Sequence, residues 1–141
     1  MIRKKQFSEL TTHELYALLA LRTEVFVVEQ QCAYQEVDGK DLDAVHYWME
    51  EGGEIVATLR ILIHASPVAI GRVVTSPGHR GNGYSRQLMQ AAIEDFGAED
   101  LYLQAQTYVE PFYASFRFER TSDEYDEDGI PHVDMVRKSK A

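Results

Sequence analysis

Cysteine is almost absent. Cys32 stands alone among 141 residues, so the chain can close no internal disulfide and supply no cysteine cluster for a structural zinc site. It reads as a small packing residue. The four prolines are scattered rather than clustered, and no Pro/Ser-rich linker or internal repeat appears, so residues 1–141 read as one domain. No apolar run approaches the ~18–20 residues of a membrane span. The opening Met1-Ile2-Arg3-Lys4-Lys5-Gln6-Phe7 is charged, with no apolar segment of signal-peptide length behind it, and a cytoplasmic location is expected. Positive charge is scarce as well: 14 Lys and Arg face 23 Asp and Glu, a formal charge of −9. Such a field repels phosphate backbones and anionic lipid, which disfavours nucleic acid and membrane surfaces as partners and favours cations. The five histidines, at 13, 46, 64, 79 and 132, include no two at ligand spacing, and no metal is expected.

What is present suits a packed globular chain, with a hydrophobic fraction of 45% and a charged fraction of 26%. Thr11-x-x-Glu14 is a capping box, and Leu15, Leu18 and Leu19 follow at helical spacing, which predicts a helix over 12–22 running on toward Val25–Gln30. A carboxylate-rich loop, Tyr34 to Asp43, comes next. Val45–Glu50 and Ile55–Ile63 flank Gly52-Gly53 as a hairpin, and Val68–Thr75 is a third strand that stops at Ser76-Pro77-Gly78. Ser85, Leu88, Met89, Ala92 and Phe96 mark one buried helix face, ended by Gly97. Leu101–Ala105 reads as a strand, Glu110 to Phe116 as a short helix, and 117–125 and 133–137 as two final strands. The order β-α-β-β-β-α-β-α-β-β implies an α/β sandwich around one mixed sheet.

The strongest local signal is Arg80-Gly81-Asn82-Gly83-Tyr84-Ser85, set between a strand and an amphipathic helix. Glycines let backbone amides turn toward one point, and a helix start adds roughly half a positive charge, so the loop is built to cradle an anion. A P-loop would need Gly-Lys-Ser/Thr, and a dinucleotide fingerprint would need glycine where Arg86 stands. Both are disfavoured. Arg80 and Arg86 supply the charge that a pyrophosphate requires.

With that loop the sequence resembles the GNAT superfamily of N-acyltransferases, whose pyrophosphate signature for acetyl-CoA is R/Q-x-x-G-x-G/A; Ser85 stands in the last place. The blocks Leu21 to Gln30, Tyr34 to Gly39, Ile70 to Val74 and Gly129 to His132 are similar to its ElaA-like branch. The resemblance implies a mixed, mostly antiparallel sheet with helices on both faces, splayed between the fourth and fifth strands. It implies a pantetheine arm paired with Val73, Val74 and Thr75, a pyrophosphate held by residues 80–86, and Tyr113 as the acid that protonates the departing thiolate. The family usually has Gly-Phe where this chain has Arg117-Phe118, a strain that re-routing the loop would relieve.

The acceptor amine must lose a proton before it attacks. Candidate bases are Glu36, Asp38, His46 and His132, with Glu36 and Asp38 better suited, as exposed carboxylates, to binding a cationic acceptor. The expectation is an acetyl-CoA-dependent N-acetyltransferase that works by direct transfer in a ternary complex. A non-catalytic acyl-CoA sensor is the alternative, and a homodimer stays open.

Overall fold

The computed structural model describes residues 1–139. Strand β1 (Ile2–Gln6) leads through a 3-10 turn into helix α1 (Thr12–Arg22), where the Thr11 hydroxyl accepts from the Glu14 amide and the Glu14 carboxylate from the Thr11 amide. The helix widens into a π-helical stretch over Thr23–Glu29 rather than ending, a geometry that recurs at functional sites. Strands β2 (Ala44–Glu51), β3 (Glu54–Leu62) and β4 (Val68–Thr75) form an antiparallel meander. Helix α2 (Tyr84–Phe96), β5 (Leu101–Gln106) and the short α3 (Glu110–Ala114) follow, with β6 (Glu119–Arg120), β7 (Tyr125–Glu127) and β8 (Ile130–Arg137) closing the sheet. The strand order is β1-β2-β3-β4-β5-β8-β6, with β7 also on β8.

One expected strand is broken in two. Between the pairs Arg120↔Met135 and Tyr125↔His132 one chain advances five residues and its partner three, so two surplus residues must bulge out of the ladder. Arg117 does not re-route its loop. It takes the left-handed conformation itself (φ 73°), at a cost of roughly 1–2 kcal/mol for a residue with a Cβ. Its amide and that of Phe118 donate to the carbonyls of Ala114 (3.0 Å) and Tyr113 (3.3 Å), so α3 is capped as a glycine would cap it.

The strand alternation separates two different interiors. Tyr47, Met49, Ala57, Leu59 and Ile61 point to the face covered by Leu88, Met89 and Ala92 of α2, and these residues form the main apolar core. His46, Thr58 and Arg60 occupy the alternate positions, the face toward α1, where buried Arg22 meets them. The first face is held by burial of apolar surface; the second carries a buried ionic network.

β4 and β5 are parallel and pair only at Val68↔Leu101 and Ala69↔Tyr102. Beyond that point they part. The β3/β4 register also shifts between Thr58/Arg60, opposite Val74 and Gly71, and Arg72 in this bulge has φ 53°. Splay and bulge together open a cleft in the sheet. No helix among the described residues is long and apolar enough to cross a membrane.

Candidate active site

The cleft between β4 and β5 has a volume of about 890 Å³ and runs from the start of α2 to the loop before β2. Past Ala69 the β5-facing edge of β4 has no strand partner, and Val73, Val74 and Thr75 line the opening. An extended chain laid there would find the amides and carbonyls of a strand edge. At the end of β4, Gly81 (φ 85°) and Gly83 (φ 75°) turn the backbone through left-handed conformations into α2, and a Cβ at either would meet only open space. The amides of residues 81–86 donate to no acceptor among the described residues. Thr75 and Ser85 join the two segments through their hydroxyls (2.6 Å).

Side chains of the loop behave differently from its backbone. Arg80 lines the cleft but is clasped by Glu29 at 2.6 and 2.9 Å. Arg86, expected beside the anion, turns away. Its guanidinium stacks over Phe112 (5.4 Å) and Phe116 (4.9 Å), because a helix position that faces α3 meets those rings first. Tyr84 donates to Glu51 through its hydroxyl, and the Asn82 side-chain Nδ2 donates to the His79 carbonyl at 3.0 Å. The loop therefore presents backbone amides left free among the described residues, while its cationic side chains are engaged elsewhere.

Tyr113 lies at the far wall, 8% exposed, between Phe112 and Phe118. Its hydroxyl has no hydrogen-bond partner among the described residues, and burial pushes its pKa well up, so the phenol is protonated at neutral pH. His132 lines the same cleft from β8. Its Nδ1 is 2.8 Å from the Ile130 carbonyl, which can only accept, so Nδ1 is the donor, and in the neutral imidazole Nε2 is then the nitrogen that bears the lone pair. The ring stacks on Tyr125, whose hydroxyl is held by Asp134 at 2.6 Å.

Two of the candidate residues, Glu36 and Asp38, serve a different purpose from the expected one. Glu36 is only 5% exposed, and its Oε2 takes bonds from Nε of both Arg22 (2.7 Å) and Arg72 (2.9 Å), while Oε1 accepts from Tyr34. Asp38 accepts from Arg60 at 2.7 and 2.9 Å and from Arg72 at 3.4 Å. Asp41, which binds Arg22 and Arg60, completes a cage of three arginines and three carboxylates. Glu36 and Asp38 are thus not free carboxylates awaiting a cation. A buried carboxylate is tolerable only when paired, and these are paired. Burial alone would raise the Asp38 carboxyl, but hydrogen bonds from Arg60 and the Lys40 amide hold it well below the usual range; for Asp41 the bonds from Arg22 do the same.

His46 is excluded from the chemistry by position. It is 2% exposed on the α1 face, does not line the cleft, and its Nε2 donates to the Asp41 carbonyl at 3.0 Å. Burial lowers its pKa from the ordinary 6.5, outweighing the Asp41 carbonyl, with Arg22 and Arg60 adding to the effect. The unfolded chain then binds a proton that the folded chain refuses, so stability falls as pH drops below about 6.5. The slope from this one group is at most ~1.4 kcal/mol per pH unit. Denaturation midpoints measured from pH 7.5 to 5 should show this decline, and His46→Gln, which keeps a donor for Asp41, should flatten it. Asp38 and Asp41 act in the same direction at lower pH, their contribution being lost as pH falls below about 4.

The family described as Acetyltransferase (GNAT) domain matches residues 8–139. The chain belongs to the GNAT family. Protein ElaA of Escherichia coli K12 is 44% identical over 140 aligned positions that take in 93% of this chain and 92% of the relative. The crystal structure of E. coli ElaA superposes with a TM-score of 0.92 at 41% identity, covering 98% of this chain and 99% of that one. That of an acyl-CoA N-acyltransferase from Pseudomonas aeruginosa gives 0.89 at 44% identity, covering 97% and 98%. The splayed mixed sheet, mostly antiparallel with parallel β4 and β5, is that of these GNAT acyltransferases, a family that uses acyl-CoA.

Sequence reasoning named the carboxylates of the cage but not the arginines that hold them. A signal was present. Arg60 interrupts the apolar run Ile55–Ile63, and a charge inside a buried strand requires partners. Four carboxylates between positions 36 and 43 were the partners available.

Proposed function

We propose that this GNAT domain, spanning the whole chain, is an acetyl-CoA-dependent N-acetyltransferase that transfers acetyl to a primary amine within a ternary complex. The observation that carries the reading is the open β4 edge running directly into the unpaired amides of residues 81–86. A strand edge suits the amide-bearing pantetheine arm, and converging amides at a helix start suit its pyrophosphate. Arg80 adds charge by exchanging Glu29 for phosphate. An amide of β4 near the bulge polarises the thioester carbonyl. The amine nitrogen bonds to the acyl carbon, the C–S bond breaks, and the Tyr113 hydroxyl protonates the sulfur. His132 Nε2 takes the proton lost by nitrogen. The acceptor reaches the site as an ammonium ion and reacts as the amine.

Thermal denaturation tests the cofactor. Acetyl-CoA at a hundredfold excess over Kd should stabilise the fold by about 2.7 kcal/mol. Pantetheine fragments without the pyrophosphate should do much less. Gly83→Val, which forces a β-branched residue to φ 75°, should abolish the shift. Equal shifts from both ligands, or an unchanged titration in a folded Gly83→Val protein, would overturn the site. Cofactor binding with no thiol release from any amine would favour the non-catalytic sensor.

A further inference from the structure

The acceptor end of the cleft is charged unevenly. On the β4 side stand Arg72 and Lys40; on the β8 side stand Glu127 and Asp128, next to His132. The carboxylates expected to face a cation from the first side are held by the arginines of the cage; Asp38 lines the cleft but is bonded to Arg60 and Arg72, and the charge left without an ion pair on this side among the described residues is the Lys40 ammonium.

Arg72 has the most unusual placement. It sits in the β4 bulge with φ 53°, a left-handed residue inside a strand, and bulges of this kind re-aim a side chain. Its Nε and Nη2 are taken by Glu36 and Asp38, its guanidinium lies 5.3 Å from the Tyr34 ring centre, and its Nη1 has no acceptor among the described residues. The head is fixed on two sides and open on the third. Arg60 adds a second donor: its Nε is buried without an acceptor and lies 3.9 Å from where a Cβ at Gly71 would be. The Lys40 amide is tied to Asp38 at 3.0 Å, whereas its ammonium has no ion pair among the described residues.

We propose that the acceptor carries a carboxylate beside its amine, and that Arg72 and Lys40 recognise it. This rests on the acyl-transfer reading above and specifies its substrate class: a small zwitterion of amino-acid type. The carboxylate takes the open Nη1 of Arg72 and the Lys40 ammonium, charge-assisted bonds being the strong ones. The ammonium group then falls toward Glu127, Asp128 and His132. It gives up two protons as the C–N bond forms and the C–S bond breaks. One replaces the proton that Tyr113 donates to sulfur, and the other leaves through His132 to solvent, so the products are an N-acetyl amino acid, free CoA and one proton.

The test compares each amino acid of a panel with its own carboxamide, which keeps the size and removes the charge, at matched concentration of unprotonated amine. kcat/KM should favour the acid by at least tenfold. Arg72→Met should bring the ratio near one, chiefly through KM. Lys40→Gln, at an exposed position that leaves the cage intact, should lower it several-fold even if Arg72→Met does not fold. Calorimetry on the CoA-saturated protein gives a readout without turnover: N-acetyl amino acids should bind more tightly than their amides. Equal or weaker hold on the acids, or no binding of either, overturns the proposal. It does so without touching acyl transfer if the acetyl-CoA shift persists, whereas loss of that shift removes both.

Discussion

Tyr113→Phe is expected to lower kcat by about 10²–10⁴-fold, the range of one positioned proton transfer, with the affinity for acetyl-CoA nearly constant. The ring and its packing against Phe112 and Phe118 remain, and only a hydroxyl is removed. That hydroxyl is bonded to no other described residue, so its loss leaves no partner stranded in the fold and stability should hardly change. The thiolate must then leave unprotonated or find water. Single-turnover kinetics with isothermal titration of acetyl-CoA separates the two quantities. Turnover within about threefold of the parent would return Tyr113 to a packing role. Arg117 bears on this result, because by accepting the left-handed conformation it keeps Tyr113 where a glycine-capped helix would place it.

Arg22→Met is expected to destabilise the fold by ~3–5 kcal/mol, the cost of removing one partner from a buried charge network. Arg22 is 2% exposed and binds both Glu36 and Asp41, so its loss leaves two carboxylates short of donors in a low-dielectric interior. Against a typical total of 5–15 kcal/mol this is a large fraction, and the denaturant midpoint should move accordingly. The damage should also reach the site, since Glu36 links Arg22 to Arg72 on the β4 bulge. Adding Asp41→Asn to Arg22→Met should recover part of the lost stability by removing one stranded charge. A loss below about 1 kcal/mol, or no recovery in the double variant, would mean that the cage is not holding this face together.

The two predictions fall on opposite sides of what the amino-acid sequence alone determined. Strand β4 is legible to the residue, Val68–Thr75, because an apolar β-branched run ends at Pro77-Gly78; α1 is legible from its capping box, and α2 from its periodic apolar face and Gly97. The backbone of the glycine loop is legible too, for Gly81 and Gly83 turn left-handed into α2 as a local glycine signal requires, and Tyr113 and His132, named from the family resemblance and as a candidate base, both line the cleft. Only the tertiary structure decided the purpose of Glu36, Asp38, His46 and Arg86. In sequence Glu36 and Asp38 look like any solvated loop carboxylates, and His46 like any strand histidine. Their partners lie far along the chain: Arg22 is 14 residues from Glu36 and Arg72 is 36 away, and only the stacking of α1 on the β3/β4 bulge brings them together. The free energy of a charge depends on the medium and on its neighbours, and neither is written in the residues beside it. For that reason the proposed cofactor end of the cleft, made of consecutive backbone amides, could be read from one segment. The proposed acceptor end, made of side chains from β4, β8 and two loops and backed by a cage drawn from α1, β3 and β4, had to wait for the fold.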